Sequence, residues 1–327
     1  MNEISLDQHL ESIKRAQSLI RSHIRRTPFI KSEWLSSLSG GEVYLKMENL
    51  QVTRSFKARG ALYKLLRLKE DGVKGPLLAV SAGNHGQGLA WASKITGFNS
   101  TVIVPKTAPA TKIDAIRRRG ANLRIEGKDY DEAEILARKE SEETGITFVS
   151  PYNDLDVIHG QGTVALDMLD EVPAIDCFAA PVGGGGLLAG IGLAVKAVRP
   201  SAPVIGVQAE NSAAVYHSFR AKEIVTIIDE PTIADGIAGN LEAGSCTFPL
   251  IQSTIDDILI VSESEIKKAI ISCLNYEGIL LEGAAAVTIA ALISGKLAEK
   301  GRTIGLVLTG GNIDFSKLAG LITDRND

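Results

Sequence analysis

Four short segments of this 327-residue chain combine residue types that could do chemistry together. In Ser55-Phe56-Lys57-Ala58-Arg59-Gly60 a single lysine stands between an aromatic ring and a turn-forming glycine. A lysine amine condenses with an aldehyde only when burial or its neighbours suppress its charge, so Lys57 is either a reactive amine or a solvated helix cation. Gly183, Gly184, Gly185 and Gly186 run together between an apolar stretch and a helical one. Their N–H groups could converge on a phosphate at the positive end of a helix, whereas a plain flexible turn would carry the entropic cost of four glycines without return. Ser81-Ala82-Gly83-Asn84-His85-Gly86 is a second such turn, suited to a carboxylate, with Asn84 able to bond a phenolic oxygen. Ser, Gly and Asn also populate turns for conformational reasons alone, and His85 could simply start a helix. Thr309-Gly310-Gly311-Asn312 follows the last apolar stretch, where an open α/β sheet presents ligands, and the Thr309 hydroxyl could meet a ring nitrogen or merely cap a turn.

These segments need a scaffold, and the apolar periodicity supplies one. Leu6, Leu10, Ile13, Ile20 and Ile24 predict an amphipathic opening helix. Residues 43–47 read as a strand. From Leu77 the pattern alternates strand, turn and helix: strands at 77–80, 101–104 and 123–125, helices at 87–95, 110–119 and 130–143. A second series follows Pro151: helix 162–169, strand 175–181, the glycine turn, helix 187–198 and strand 204–207. Helices at 263–276 and 283–293 and a strand at 303–308 close the chain. Such alternation predicts an α/β protein with two parallel-sheet lobes.

Composition removes several function classes. Net charge is −4, charged residues make up 23% of the chain, and the longest block of one charge is Arg117-Arg118-Arg119, so nucleic acid is not an expected partner. Cys177, Cys246 and Cys273 are too few and too scattered for a disulfide framework or a zinc site. That cysteine usage fits a reducing cytoplasm, and because the first residues lack the pattern of a secretory signal and no stretch reaches the length of a membrane span, a soluble protein with no membrane partner is expected.

In order and spacing the four segments resemble the pyridoxal-phosphate enzymes of fold type II, particularly the threonine/serine dehydratase and serine racemase branch. The resemblance covers nearly the whole chain. It implies a tryptophan synthase β-like fold with the cofactor in the cleft between the lobes, a large domain of residues 1–53 and 151–327, and a small mobile domain of residues 54–150. It further implies pyridoxal 5'-phosphate held covalently at Lys57, with Phe56 against its ring, Asn84 on its phenolic oxygen, Gly183 to Gly186 on its phosphate and Thr309 on its pyridine nitrogen. Ser81, Ala82, Gly83, Asn84 and His85 would bind the substrate carboxylate. The implied reaction is β-elimination of a hydroxy amino acid, L-threonine or L-serine, to a 2-oxo acid and ammonia, with Lys57 taking the α-proton. The partners implied are a small amino-acid substrate and further copies of the chain in a homo-oligomer. A dehydratase for another 3-hydroxy amino acid such as 3-hydroxyaspartate, or a serine racemase, is the alternative.

Individual residues refine this expectation. A racemase of this family carries a second serine where this chain has Ala82, and without that hydroxyl the opposite ring face lacks a proton donor. Synthases of the fold tend to carry Asp at the position of Arg59. Related enzymes bind Mg²⁺ or Ca²⁺ through a Glu, a carbonyl and an Asp; Glu210 and Ala214 match the first two, but Tyr216 occupies the third place. Glu282 matches a family Glu usually followed by Pro, here Gly283. Asp235-Gly236 resembles a turn near the cofactor, and Asn153 with a Gln161-Gly162-Thr163 turn is expected to line the cleft.

Overall fold

The computed structural model describes residues 4–297 and 302–323. Its elements in chain order begin with α1 (Leu6–Ile20), β1 (Phe29–Lys31), α2 (Glu33–Ser39), β2 (Glu42–Lys46) and α3 (Lys57–Glu70). Then come β3 (Leu77–Val80), α4 (Asn84–Thr96), β4 (Ser100–Val104), α5 (Ala110–Arg118), β5 (Asn122–Ile125), α6 (Tyr130–Thr144) and β6 (Thr147–Phe148). α7 (Leu155–Glu171), β7 (Cys177–Pro181), α8 (Gly186–Val198), β8 (Val204–Ala209), α9 (Ala214–Ala221), α10 (Thr247–Thr254) and β9 (Asp257–Val261) follow. The chain closes with α11 (Glu263–Glu277), α12 (Gly283–Ile293), β10 (Thr303–Val307) and α13 (Phe315–Thr323).

Two sheets result: a four-stranded one in the order β5-β4-β3-β6 and a six-stranded one in the order β1-β2-β10-β7-β8-β9. All pairings are parallel except the edge pair β1–β2, which the alternating pattern did not predict. Both faces of the larger sheet are buried, as parallel sheets require. Along β7, Cys177 and Ala179 face one core with α12, while Phe178 and Ala180 face the other with α7 and α8. In the smaller sheet Leu77 and Ala79 join a core under α3 and α4, and Leu78 and Val80 join one with Ala133 and Ala137 of α6.

α1 bridges the lobes: Ile13 packs in the α7–α8 core and Ala16 and Ile20 in the small-lobe core. Ser5 and Gln8 start it with a capping box. Two expectations are corrected here. Gly60 does not end a turn but lies inside α3, which begins at Lys57 itself. Gln161, Gly162 and Thr163 form no turn either; they sit buried in the middle of α7, which starts seven residues earlier than expected at Leu155, capped by the Asp154 side chain.

The physical reason is close approach. A Cβ at Gly160 would lie 2.6 Å from the Gly60 Cα and 3.0 Å from the Arg59 carbonyl, and one at Gly162 would lie 2.8 Å from the Gly190 carbonyl. Thus α3, α7 and α8 cross backbone to backbone, and glycine's cost of about 1 kcal/mol inside a helix is offset by contacts no larger residue allows.

Candidate active site

The site lies where the lobes face each other, at the carboxyl ends of β3, β7 and β10. β10 and β7 are neighbours, so the turn that begins at Thr309 and the glycine loop after Pro181 stand side by side. Ser55 bridges to Gly310, and the Phe56 N–H donates to the Thr309 carbonyl at 3.1 Å, bringing the start of α3 against the same edge.

Lys57 is the first residue of α3, and its amine donates to the Pro151 carbonyl at 2.9 Å and lies 5.2 Å from the centre of the Phe56 ring. The side chain is partly exposed as a whole, but its amine is deep in the cleft. Burial lowers its pKa to about 8, an effect the Glu282 carboxylate partly offsets. An amine so placed is neutral in about a tenth of molecules at pH 7, far more than an ordinary lysine, and the neutral form is what attacks an aldehyde.

Gly183 to Gly186 lead directly into α8. Gly185 has φ +88°, a left-handed conformation that favours glycine, and turns the loop so that it opens at the helix N-terminus. Its walls are close: a Cβ at Gly183 would lie 2.9 Å from the Ile237 Cα, and one at Gly184 would collide with the Tyr152 ring. Thr247 locks the loop from behind by donating its hydroxyl to the Gly184 carbonyl at 2.8 Å. The result is a backbone cradle for an anion.

The Ser81–His85 turn joins β3 to α4 and points a second helix N-terminus into the cleft. The Ser81 hydroxyl accepts from the Gly83 N–H at 3.1 Å, shaping the turn. Nε2 of His85 is 3.0 Å from the Val149 carbonyl, which can only accept, so this nitrogen carries the proton. Burial, and then the charge of Lys57, push the His85 pKa down to about 3. Its neutral ring is committed to the small lobe, and what His85 can offer a carboxylate is its backbone.

Asn84 stands in this turn, but its principal partner escaped sequence reasoning. Asn84 Nδ2 donates to Glu282 Oε1 at 2.7 Å, and Asn312 Nδ2 donates to Asn84 Oδ1 at 2.7 Å, so the amide is held from both ends. Glu282 also accepts from the Asn312 N–H at 3.2 Å. Burial pushes the Glu282 carboxyl up to about 7 against the pull of these hydrogen bonds. No local pattern could have revealed a pair 198 positions apart.

Other expected residues fall around this centre. Asn153 accepts from the Cys246 N–H at 2.8 Å, tying the segment beside Lys57 to the start of α10. Asp235 begins the short turn whose Ile237 backs Gly183, and it pairs with Lys112 of α5 at 2.8 Å and Lys317 at 3.5 Å. A cavity of about 480 Å³, lined by Lys112, Asp235, Glu282 and Asn312 among others, opens from here to the surface. Glu210 and Ala214 lie in successive short helices, but Tyr216 carries the Arg220 guanidinium 5.4 Å over its ring. A cation at the third place does not suit a divalent metal, and among the described residues no group of three or more His, Cys, Asp or Glu could hold one.

The Thr309 side chain has only 3% of its surface exposed, and its hydroxyl has no hydrogen-bond partner among the described residues. Together with a glycine loop whose walls leave no room for a Cβ, this unpaired hydroxyl fits a flat polar ring with a phosphate arm, reached by the Lys57 amine. Clefts of this kind belong to α/β enzymes that carry a phosphorylated aldehyde cofactor on a lysine. The chain belongs to the pyridoxal-phosphate dependent enzyme family, whose model matches residues 20–310. It is 42% identical over 313 residues to an L-threonine ammonia-lyase of Thermotoga maritima, covering 96% of this chain and 78% of that protein. Among solved structures, a T.th. threonine deaminase is 38% identical with a TM-score of 0.86, over 94% of this chain and 99% of that one. Maize serine racemase is 30% identical with a TM-score of 0.90, over 96% of both. These neighbours establish the two-lobed fold type II architecture.

Proposed function

We propose that this enzyme is an ammonia-lyase that eliminates water from L-threonine or L-serine, leaving an enamine acid that takes up one water on hydrolysis and yields a 2-oxo acid and ammonia. The observation that carries this reading is the Lys57 amine, with its pKa lowered to about 8, between a carboxylate-binding turn and an anion cradle. The names of the relatives support the substrate class.

In this reading Lys57 holds the cofactor, the Gly183–Gly186 loop its phosphate, Thr309 its ring nitrogen and Asn84 its phenolic oxygen. When bound, the cofactor supplies an electron sink for the pair left by the α-proton. The N–H groups of the Ser81–His85 turn hold the substrate carboxylate, and the freed Lys57 amine takes the proton from Cα. Thr309 is too weak an acid to protonate a pyridine, which suits elimination because it limits electron withdrawal. Ala82 offers no proton to the face opposite Lys57, so elimination is favoured over racemisation.

The decisive measurement is a screen for keto-acid and ammonia release from L-threonine, L-serine, D-serine and 3-hydroxyaspartate. Release of ammonia from L-threonine or L-serine is expected; none from any hydroxy amino acid would overturn the assignment. Lys57→Ala should lose both covalent cofactor attachment and turnover.

The small domain that closes on the substrate is residues 54–150 and the enzyme works as a homo-oligomer, readings supported by the family resemblance, while the three scattered cysteines support a reducing cytoplasm. No helix among the described residues is long and apolar enough to cross a membrane. A divalent cation at Glu210 and Ala214 has no third ligand in Tyr216, so added Mg²⁺ or EDTA should leave the melting temperature unchanged.

A further inference from the structure

Arg59 lies two residues beyond Lys57, in the first turn of α3, and is fully buried. Its guanidinium grips Glu48 with two bonds, Nε to Oε2 at 2.9 Å and Nη2 to Oε1 at 2.7 Å. Nη2 also meets Asp167 at 2.8 Å, and Nη1 donates to Thr163 at 3.1 Å. Glu48 is fully buried as well, in the short turn after β2, while Asp167 and Thr163 belong to α7. Lys46, with no exposed surface, extends the cluster to Glu171 at 3.1 Å.

A buried ion cluster is a poor way to gain stability, because desolvation cancels most of the attraction and an apolar cluster of similar size would serve as well. What a bidentate guanidinium–carboxylate pair provides is direction. Here the directions come from two different large-lobe elements and converge on one turn of α3. That turn is also pressed against α7 at Gly60 and Gly160, and its own backbone is closed by the Arg59 N–H donating to the Phe56 carbonyl at 3.0 Å. Any tilt of the turn would swing the Lys57 amine away from Pro151. A misplacement of about 1 Å can cost on the order of 100-fold in rate.

We propose that Arg59 is a positioning residue, which, through Glu48 and Asp167, fixes the first turn of α3 to the large lobe and so aims the Lys57 amine. The proposal rests on Lys57 being the cofactor lysine. Arg59 touches neither the anion cradle nor the carboxylate turn, so it acts through the helix.

The test compares Arg59→Lys, Arg59→Gln and the double variant Arg59→Gln/Glu48→Gln, which removes both charges. A cavity of about 120 Å³ beside Arg59 gives water a route to the carboxylates that a shorter side chain would strand, so the single variants should fold. Readouts are the melting temperature of the cofactor-free protein, its rate of cofactor uptake, the pH midpoint of the bound cofactor's absorbance, and kcat and KM per bound cofactor. The double variant should regain the melting temperature that Arg59→Gln loses, yet keep a kcat lowered about 10- to 100-fold, KM within about twofold, and a displaced absorbance midpoint. Arg59→Lys, which keeps the charge without the fork, should fall between. A double variant with wild-type kcat, uptake and midpoint would overturn the proposal and leave Arg59 with a structural role only. If instead the wild-type protein took up no cofactor at Lys57, both the proposal and the functional reading would fail, a result visible before any variant is made.

Discussion

The lobes touch in two contrasting ways. Where α3 crosses α7, Gly60 and Gly160 bring backbone against backbone, beside the buried charges around Arg59. At the mouth of the cleft, α5 reaches the large lobe through single polar contacts in water: Thr111 to Asp314 at 2.6 Å and Lys112 to Asp235 at 2.8 Å. The first contact is buried and steric, made backbone to backbone at Gly60 and Gly160. The second is wet and electrostatic and can break at little cost, since exposed ion pairs contribute about 0–1 kcal/mol. One side of the interface is held by close packing and the other by contacts that water can replace.

That contrast can be broken most severely at Gly160. Gly160→Ala would place a methyl 2.6 Å from the Gly60 Cα, and neither backbone has room to yield. Overpacking of this kind should cost about 3 kcal/mol in denaturant unfolding and abolish cofactor uptake. Gly75→Ala, at a glycine with open space around it, is the control and should change stability by less than about 0.5 kcal/mol. Equal effects at the two positions would remove the claim that the crossing matters.

Glu282 sits between the two contacts, buried like the first and facing the cavity that leads to the second. Its folded pKa, about 7, lies above its ordinary value of 4.5, so the folded protein binds more protons than the unfolded chain in this interval. Stability is therefore full below pH 4.5 as far as this group is concerned, and falls as pH rises towards 7, by up to about 3 kcal/mol. Glu282→Gln should flatten that fall while keeping an acceptor for Asn84. Urea midpoints measured from about pH 5 to 8 would reveal it, and parallel pH slopes for the two proteins would count against a protonated Glu282.

The smallest effect is expected at the mouth. Lys112→Ala should cost less than about 1 kcal/mol, and about 0.5 M salt should weaken the wild-type contact in the same direction. A loss as large as that of Gly160→Ala would mean that the mouth, too, is a permanent joint.

Much of this was legible in the sequence because the candidate chemistry sits on strand-to-helix turns. Gly83, Gly185 and the glycines after Thr309 stand where local pattern and turn geometry coincide, and their order along the chain carried the family resemblance. What escaped was everything set by distant packing. Glycine at 60, 160 and 162 carries no local mark of its role, since a sequence does not distinguish a glycine that needs positive φ, like Gly185, from one that makes room for another helix. The Glu282–Asn84 bond joins two parts of the chain with no local mark of their meeting. Arg59 stood out by its residue type, but its burial away from the ring became visible only in three dimensions. The short β1 and the helices α2, α9, α10 and α13 lack the long periodic runs that announced α1, α4 and α12.

The stack of α3, α7 and α8 has one more consequence. Because its crossings rest largely on main chain at Gly60, Gly160, Gly162 and Gly190, the backbone path from Lys57 to Gly183 works as a fixed gauge. Side chains around the mouth can be exchanged without altering that gauge, so under the proposed function substrate preference could change while the seat of the cofactor stays the same. Inheritance would then run along two tracks in one polypeptide, one free to drift and one obliged to stand still.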